Sequence, residues 1–279
     1  MSPTKAVYLV NVLICAILAL LLTYHWRRAN RERSLGTFTA AAWVLLVADL
    51  LFYMREDLPY WVGRFFPTLS VTLGQAILLV AARRLAGRTE GRLAIIAIVA
   101  AHATALAYFL VYYNGVSGLR TISNSAVWAA LSIGAAVMLR RSEDLDVREA
   151  MALPALIFGL HGAFHLLRTG IAVLSFTEIR TAAPTWLQLA ADIEVSAFMV
   201  ALFLALLVGY AQVHGARLLK AERELRELTT LLPVCAWCQN VRSDQGYWQR
   251  IEDYFASRGD VRVTHGMCDS CSQMALKEG

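Results

Sequence analysis

The sequence predicts an all-α polytopic membrane protein: a seven-transmembrane-helix bundle, N-terminus outside and C-terminus in the cytoplasm, then a helical linker and a small zinc-knuckle α+β domain. Three observations carry this. Apolar runs long enough to cross a bilayer recur from position 5 to position 213. Arginine is concentrated in alternate connections between those runs, and two Cys-x-x-Cys pairs lie near the end of the chain.

Of the 279 residues, 58% are hydrophobic and only 17% charged, and the mean hydropathy is +0.51. Soluble domains carry about a quarter charged residues, so the deficit marks the chain as membrane-embedded. Scanning for runs of ~18 or more apolar residues gives seven segments: 5–26, 37–55, 60–82, 92–112, 119–139, 149–175 and 185–212. A pI near 9.1 would suit nucleic-acid binding, but the basic residues sit in the connections that membrane topology favours, so no nucleic-acid partner is expected. The bilayer is.

Orientation follows from those connections. "HWRRANRERS" after segment one carries Arg27, Arg28, Arg31 and Arg33, and "AARRLAGRTEGR" after segment three carries Arg83, Arg84, Arg88 and Arg92. "LRRSEDLDVREA" and "HGARLLKAERELR" follow segments five and seven, whereas the alternate connections are poorer in Arg and Lys. Basic residues favour the cytoplasmic side, which puts the N-terminus out and the C-terminus in. Segment one has little charge before it and no small-residue cleavage site after it, so it reads as an uncleaved anchor.

Ionisable residues inside spans are costly and face the bundle interior. Segment six reads "GLHGAFHLLR", with His161, His165 and Arg168 on one helical face. His102 lies in segment four, Asp49 in segment two, and Asp192 and Glu194 in segment seven. Counting the helical rise from each midpoint brings Asp49, His102, His161, His165, Asp192 and Glu194 to similar depths, as expected of one polar pocket in the outer half, with Arg168 nearer the mouth. Four readings stay open: a bound copper or zinc ion, His–carboxylate proton sensing, haem held by histidines, or plain interhelical hydrogen bonding. Retinal is excluded, because it needs a lysine within the last span, 185–212, and the lysines stand at 5, 220 and 277.

Beyond segment seven, Leu218, Ala221, Leu225, Leu228 and Leu232 are spaced 3-4-3-4. That is either an a/d seam joining two protomers as a homodimer or a solvated amphipathic helix, and Pro233 ends it. The domains are therefore 1–213, the membrane part; 214–232, the linker; and 233–279, the tail. In the tail the spacing Cys235-x2-Cys238-x29-Cys268-x2-Cys271 supplies four thiolates, which suit the tetrahedral preference of a structural Zn2+. A reducing cytoplasm disfavours disulfides there. His265 stands three residues before Cys268 and is read as packing beside the metal. Between the knuckles, "NVRSDQGYW" forms a hairpin turning at Gly246, and "WQRIEDYFASRG" places Trp248, Ile251, Tyr254 and Phe255 on one helical stripe. A short strand "VRVT" feeds the second knuckle. So small a unit gains stability from a metal.

"LLPVCAWCQNVRSDQGYWQRIEDYFASRGDVRVTHGMCDSC" resembles the Cys-rich tail that follows PAS, receiver and other modules in bacterial signalling proteins. The likeness runs through Cys235, Cys238, Gly246, Tyr247, Trp248, His265, Gly266, Cys268 and Cys271 and departs at Gln239–Asn240 and Asp269–Ser270. The membrane part more loosely resembles the multi-helix sensor regions of GGDEF and histidine-kinase proteins. The resemblance implies a signalling context: a membrane receptor for a small ligand, metal, proton or membrane stimulus, relaying through the linker to a partner such as a kinase or cyclase. No GGDEF-like segment, kinase glycine loop or other catalytic motif is found in the chain, so it is not expected to be an enzyme. The alternative is a metal- or haem-dependent membrane oxidoreductase using His161 and His165.

Overall fold

The structure, a computed structural model, describes residues 3–29, 31–88, 91–113, 117–179, 185–230, 233–243, 245–258, 266–268, 272 and 274. The chain divides into two units, Met1–Ala216 and Arg217–Gly279.

The first unit is helical. It contains α1 (Pro3–Arg28), α2 (Arg33–Tyr53), α3 (Val62–Leu85), α4 (Arg92–Tyr112), α5 (Ser117–Arg140), a six-residue α6 (Leu145–Ala150), α7 (Ala152–Ile179) and the first part of α8 (Thr185–Thr230). Seven of these helices are long and apolar enough to span a bilayer, at the positions the hydropathy pattern predicts. The connections are short and capped. Glu32 ends the α1–α2 turn by accepting from Ser34 N at 3.0 Å and Leu35 N at 2.7 Å. Asp144 does the same for α6 through Asp146 N and Val147 N. Each cap satisfies donors that a helix start leaves without partners.

Burial is inverted relative to a soluble protein. Leu93, Ile96, Leu160, Leu167 and Leu174 point outward, more than half exposed, while Asn11, Asp49, Thr72, Gln75, His102, Ser132, His161 and Arg168 are buried. Apolar outside and polar inside is what lipid as solvent selects, because an unpaired polar group facing hydrocarbon costs several kcal/mol. The protein is a multi-pass membrane bundle.

The packing order is set by close approaches. α2 lies between α1 and α3, α3 also packs on α4 and α5, and α5 packs most extensively on α7. A Cβ on Gly162 of α7 would sit 2.6 Å from Ile133 Cγ1 of α5, and one on Gly209 of α8 would sit 2.8 Å from the Ala150 carbonyl. These helices come as near as they do only because no side chain intervenes. Phe38, Leu78, Phe158, Leu202, Phe203 and Leu206 fill the space between.

In the second unit α8 continues to Thr230 with no break at the expected linker start. The tail forms a two-stranded antiparallel hairpin, β1 (Val241–Arg242) with β2 (Trp248–Gln249), and α9 (Ile251–Arg258). Gly246, at φ +90°, makes the turn. Trp248 is a strand residue, half exposed, and does not join the helical stripe expected of it; Tyr254 alone of that set is fully buried. The two-residue pairing takes Trp248 before α9 begins. The predicted strand at 261–264, His265 and Cys271 lie outside the described residues.

Candidate functional site

The intramembrane residues that the sequence groups together separate into three neighbouring clusters. The first centres on His102 of α4. Its Nε2 donates to Asn124 Oδ1 of α5 at 3.0 Å, and its Nδ1 lies 2.9 Å from Thr72 Oγ1 of α3. Since Asn124 Oδ1 only accepts, the neutral ring carries its proton on Nε2, and the Thr72 hydroxyl proton is shared between Nδ1 and Thr68 O at 3.1 Å. Thr72 in turn accepts from Trp128 Nε1 at 3.0 Å. His102 is fully used in pinning α4 to α3 and α5.

The second cluster lies between α3, α5, α7 and α8. Ser132 Oγ donates to Gln75 Oε1 at 2.9 Å, Gln75 Nε2 donates to His161 Nε2 at 2.8 Å, and His161 Nδ1 donates to Glu194 Oε1 at 2.8 Å. The chain is consistent in direction: each donor meets an acceptor. Phe198 stacks on the His161 ring at 3.7 Å and 13°, which fixes its plane. His165, one turn along α7, touches His161 edge to face at 4.5 Å and Trp128 at 5.3 Å. His165 is fully buried, and neither ring nitrogen has a hydrogen-bond partner. Glu194 Oε2 also lacks one; it lies 3.9 Å from His165 Nε2. One ligand atom from each of His161, His165 and Glu194 falls within 4.8 Å of the others.

The third cluster opens at the end of the bundle that carries the N-terminus, as a cavity of about 810 Å³ whose lining includes Tyr8, Asp49, Arg55, Trp128, Arg168 and Asp192. Cys15 Sγ donates to Asp49 Oδ2 at 3.0 Å. Asp192 Oδ1 accepts from Tyr8 OH at 3.1 Å and Gln188 Nε2 at 2.9 Å, and Arg168 donates to Gln188 Oε1 at 2.8 Å. Arginines, carboxylates and aromatic rings together make a pocket suited to a small polar or zwitterionic molecule. Trp128 and Arg168 belong both to its wall and to the surroundings of His165, so the second cluster adjoins it.

In the tail, Cys235 N donates to Asn240 O at 2.8 Å and Gln239 N to Cys235 O at 2.9 Å, closing a tight turn with Gln239 at φ +60°. Backbone N–H groups of Cys238 and Trp237 and the Cys238 thiol converge on Cys235 and hold its pKa below the ordinary thiol value. That favours the thiolate, the form that binds metal. Cys238 and Cys268 are exposed thiols.

No protein-family model, curated protein or solved structure matches the chain.

The site therefore stands on its own geometry. Of the six intramembrane residues singled out in the sequence, His161, His165 and Glu194 meet, Asp49 and Asp192 line the cavity, and His102 is held apart. Gln75, Thr72, Ser132 and Tyr8, which complete the networks, escape a reading confined to charged groups and histidine. The amide of Gln75 in an otherwise apolar span is the signal that points to the network.

Proposed function

We propose that this chain is a bacterial inner-membrane signal receptor, N-terminus outside and C-terminus cytoplasmic. A stimulus acting on the cavity or its adjoining polar cluster shifts α8, and the shift reaches a tail stabilised by zinc that engages a cytoplasmic partner such as a kinase or cyclase. The observation that carries the reading is that Asp192 and Glu194, from two of the clusters, belong to the same unbroken helix, Thr185–Thr230. A rigid helix transmits rotation or translation along its length without intermediate joints. Leu218 and Leu225 are 71% and 62% exposed on its extension, in keeping with a seam that a second copy would use. Cys235, Cys238, Cys268 and Cys271 supply the zinc ligands.

Amide hydrogen exchange on the full chain in lipid nanodiscs tests the relay. Glu194→Gln and Asp192→Asn change protection across 217–230 if the clusters and the extension are coupled. Unchanged protection there removes the reading.

A second reading, a metal-dependent membrane oxidoreductase, draws on the convergence of His161, His165 and Glu194. Haem does not fit this cluster. The two rings touch at 4.5 Å, and Phe198 covers His161 at 3.7 Å, which leaves no slot for a macrocycle. Substrate turnover lost with His165 would favour the enzyme over the receptor.

A further inference from the structure

Hydrogen bonding accounts for His161 and His102 but not for His165. Its imidazole is wholly enclosed, both nitrogens are unpartnered, and the nearby carboxylate oxygen, Glu194 Oε2 at 3.9 Å, is unpartnered too. A buried polar atom left without a partner destabilises the fold. Two of these atoms, His165 Nε2 and Glu194 Oε2, face each other, and a cation between them would meet the demand of both.

We propose that His161, His165 and Glu194 bind one divalent transition-metal ion of the Zn2+ type within the bundle. Two imidazoles and a carboxylate are the donor set of three-ligand zinc sites that keep a fourth position open. Tetrahedral coordination at ~2.0–2.1 Å places ligand atoms roughly 3.3 Å apart, so the three ligand atoms, now within 4.8 Å of one another and 3.9 Å apart between His165 Nε2 and Glu194 Oε2, must draw together on binding.

The surroundings are already arranged for it. For His161 to ligate through Nδ1, its proton must move to Nε2. Gln75 then needs only to turn its amide over: Oε1 accepts from His161 Nε2, and Nε2 donates to Ser132 Oγ. The two bonds Gln75 now makes are replaced by two others, and the Ser132 hydroxyl, no longer donating to Gln75, becomes the acceptor of the pair. Outer residues that orient a ligating imidazole in this way are characteristic of metal sites. Trp128 packs on His165 and also lines the cavity, so one side chain separates the site from the cavity.

This inference goes beyond the receptor reading and does not depend on it: the exchange experiment can fail while metal binding stands, and the reverse. The test is Zn2+ binding by the full chain in nanodiscs, with the metal counted by elemental analysis and its shell read by X-ray absorption. In a chain with Cys235, Cys238, Cys268 and Cys271 all changed to Ser, we expect one equivalent of Zn2+ in a nitrogen/oxygen shell near ~2.0–2.1 Å, without the sulfur shell near ~2.3 Å. Adding His165→Leu lowers its affinity by at least ~100-fold, the upper end of what loss of even an outer-shell partner costs. Because the His165 ring makes no hydrogen bond, that variant keeps its fold. Bound Zn2+ that survives His165→Leu, or a folded four-serine chain that takes up none, overturns the proposal. If the four-serine chain fails to fold, the comparison moves to the unaltered chain: loss of one equivalent with His165→Leu supports the site, and an unchanged count refutes it.

Discussion

Gln75 Nε2 lies 2.8 Å from His161 Nε2 and thereby ties α3 to α7 across the interior of the bundle, while its Oε1 accepts from Ser132 on α5. One amide joins three helices. Gln75→Leu removes both bonds and leaves His161 Nε2 buried without a partner. The expected loss is about 1–2 kcal/mol, at the upper range for polar contacts between membrane helices. Unfolding in bicelles measures it, and a double-mutant cycle with Ser132→Ala shows coupling between the two positions.

Gly209 faces a backbone carbonyl, and backbone cannot swing aside as a side-chain tip can. Gly209→Ala places Cβ 2.8 Å from Ala150 O, forcing α8 away from the α6–α7 junction. A loss of about 1–3 kcal/mol is expected from such overpacking, read as a lower thermal midpoint. At Gly170, where a Cβ would meet nothing within 4 Å, the same change is neutral or slightly stabilising.

Glu32 lies outside the spanning segments, at the start of α2. Burial opposes its charge, but the N–H groups of Leu35 and Ser34, then the Ser34 and Tyr210 hydroxyls, outweigh it and hold the carboxyl below the usual glutamate range. A folded-state pKa below the unfolded one means stability that is full above the unfolded value, ~4.3, and is lost as the pH falls through the folded value. Glu32→Gln keeps an acceptor for the cap but removes this acid-range slope, and costs about 1 kcal/mol at neutral pH. Stability measured from neutral pH down through the carboxylate range checks both parts.

The cysteines differ sharply in access. Cys15 is 2% exposed and donates to Asp49, whereas Cys238 and Cys268 are exposed. Maleimide therefore labels the tail and spares Cys15 until the bundle unfolds, and saturating Zn2+ slows tail labelling if the thiolates hold the metal. In intact cells an impermeant maleimide leaves the tail unlabelled when the C-terminus is cytoplasmic. Tail labelling from outside contradicts the proposed orientation.

The seven spans were legible because hydropathy is a property of each segment alone: α1 to α5, α7 and α8 follow the apolar runs closely. The His161–His165 pairing was legible for the same reason, since a spacing of four residues on one helix fixes a shared face. Contacts across helices were not. Depth counting drew His102, Asp49 and Asp192 toward the same pocket as His161, yet Thr72 and Asn124 hold His102 apart, and Cys15 and Tyr8 engage the two aspartates.

By itself the sequence determined which segments enter the bilayer, which residues share a helix face, and that four cysteines stand at ligand spacing. Only the tertiary structure decided that Glu194, and not Asp192, meets the histidines, that Gln75 closes the network, and that His165 is left without a partner. Periodicity specifies a helix's own faces, whereas its rotation and height against a neighbour are set by how closely backbones approach. Here that depends on points such as Gly162 against Ile133 and Gly209 against Ala150, which a pattern within one segment does not contain.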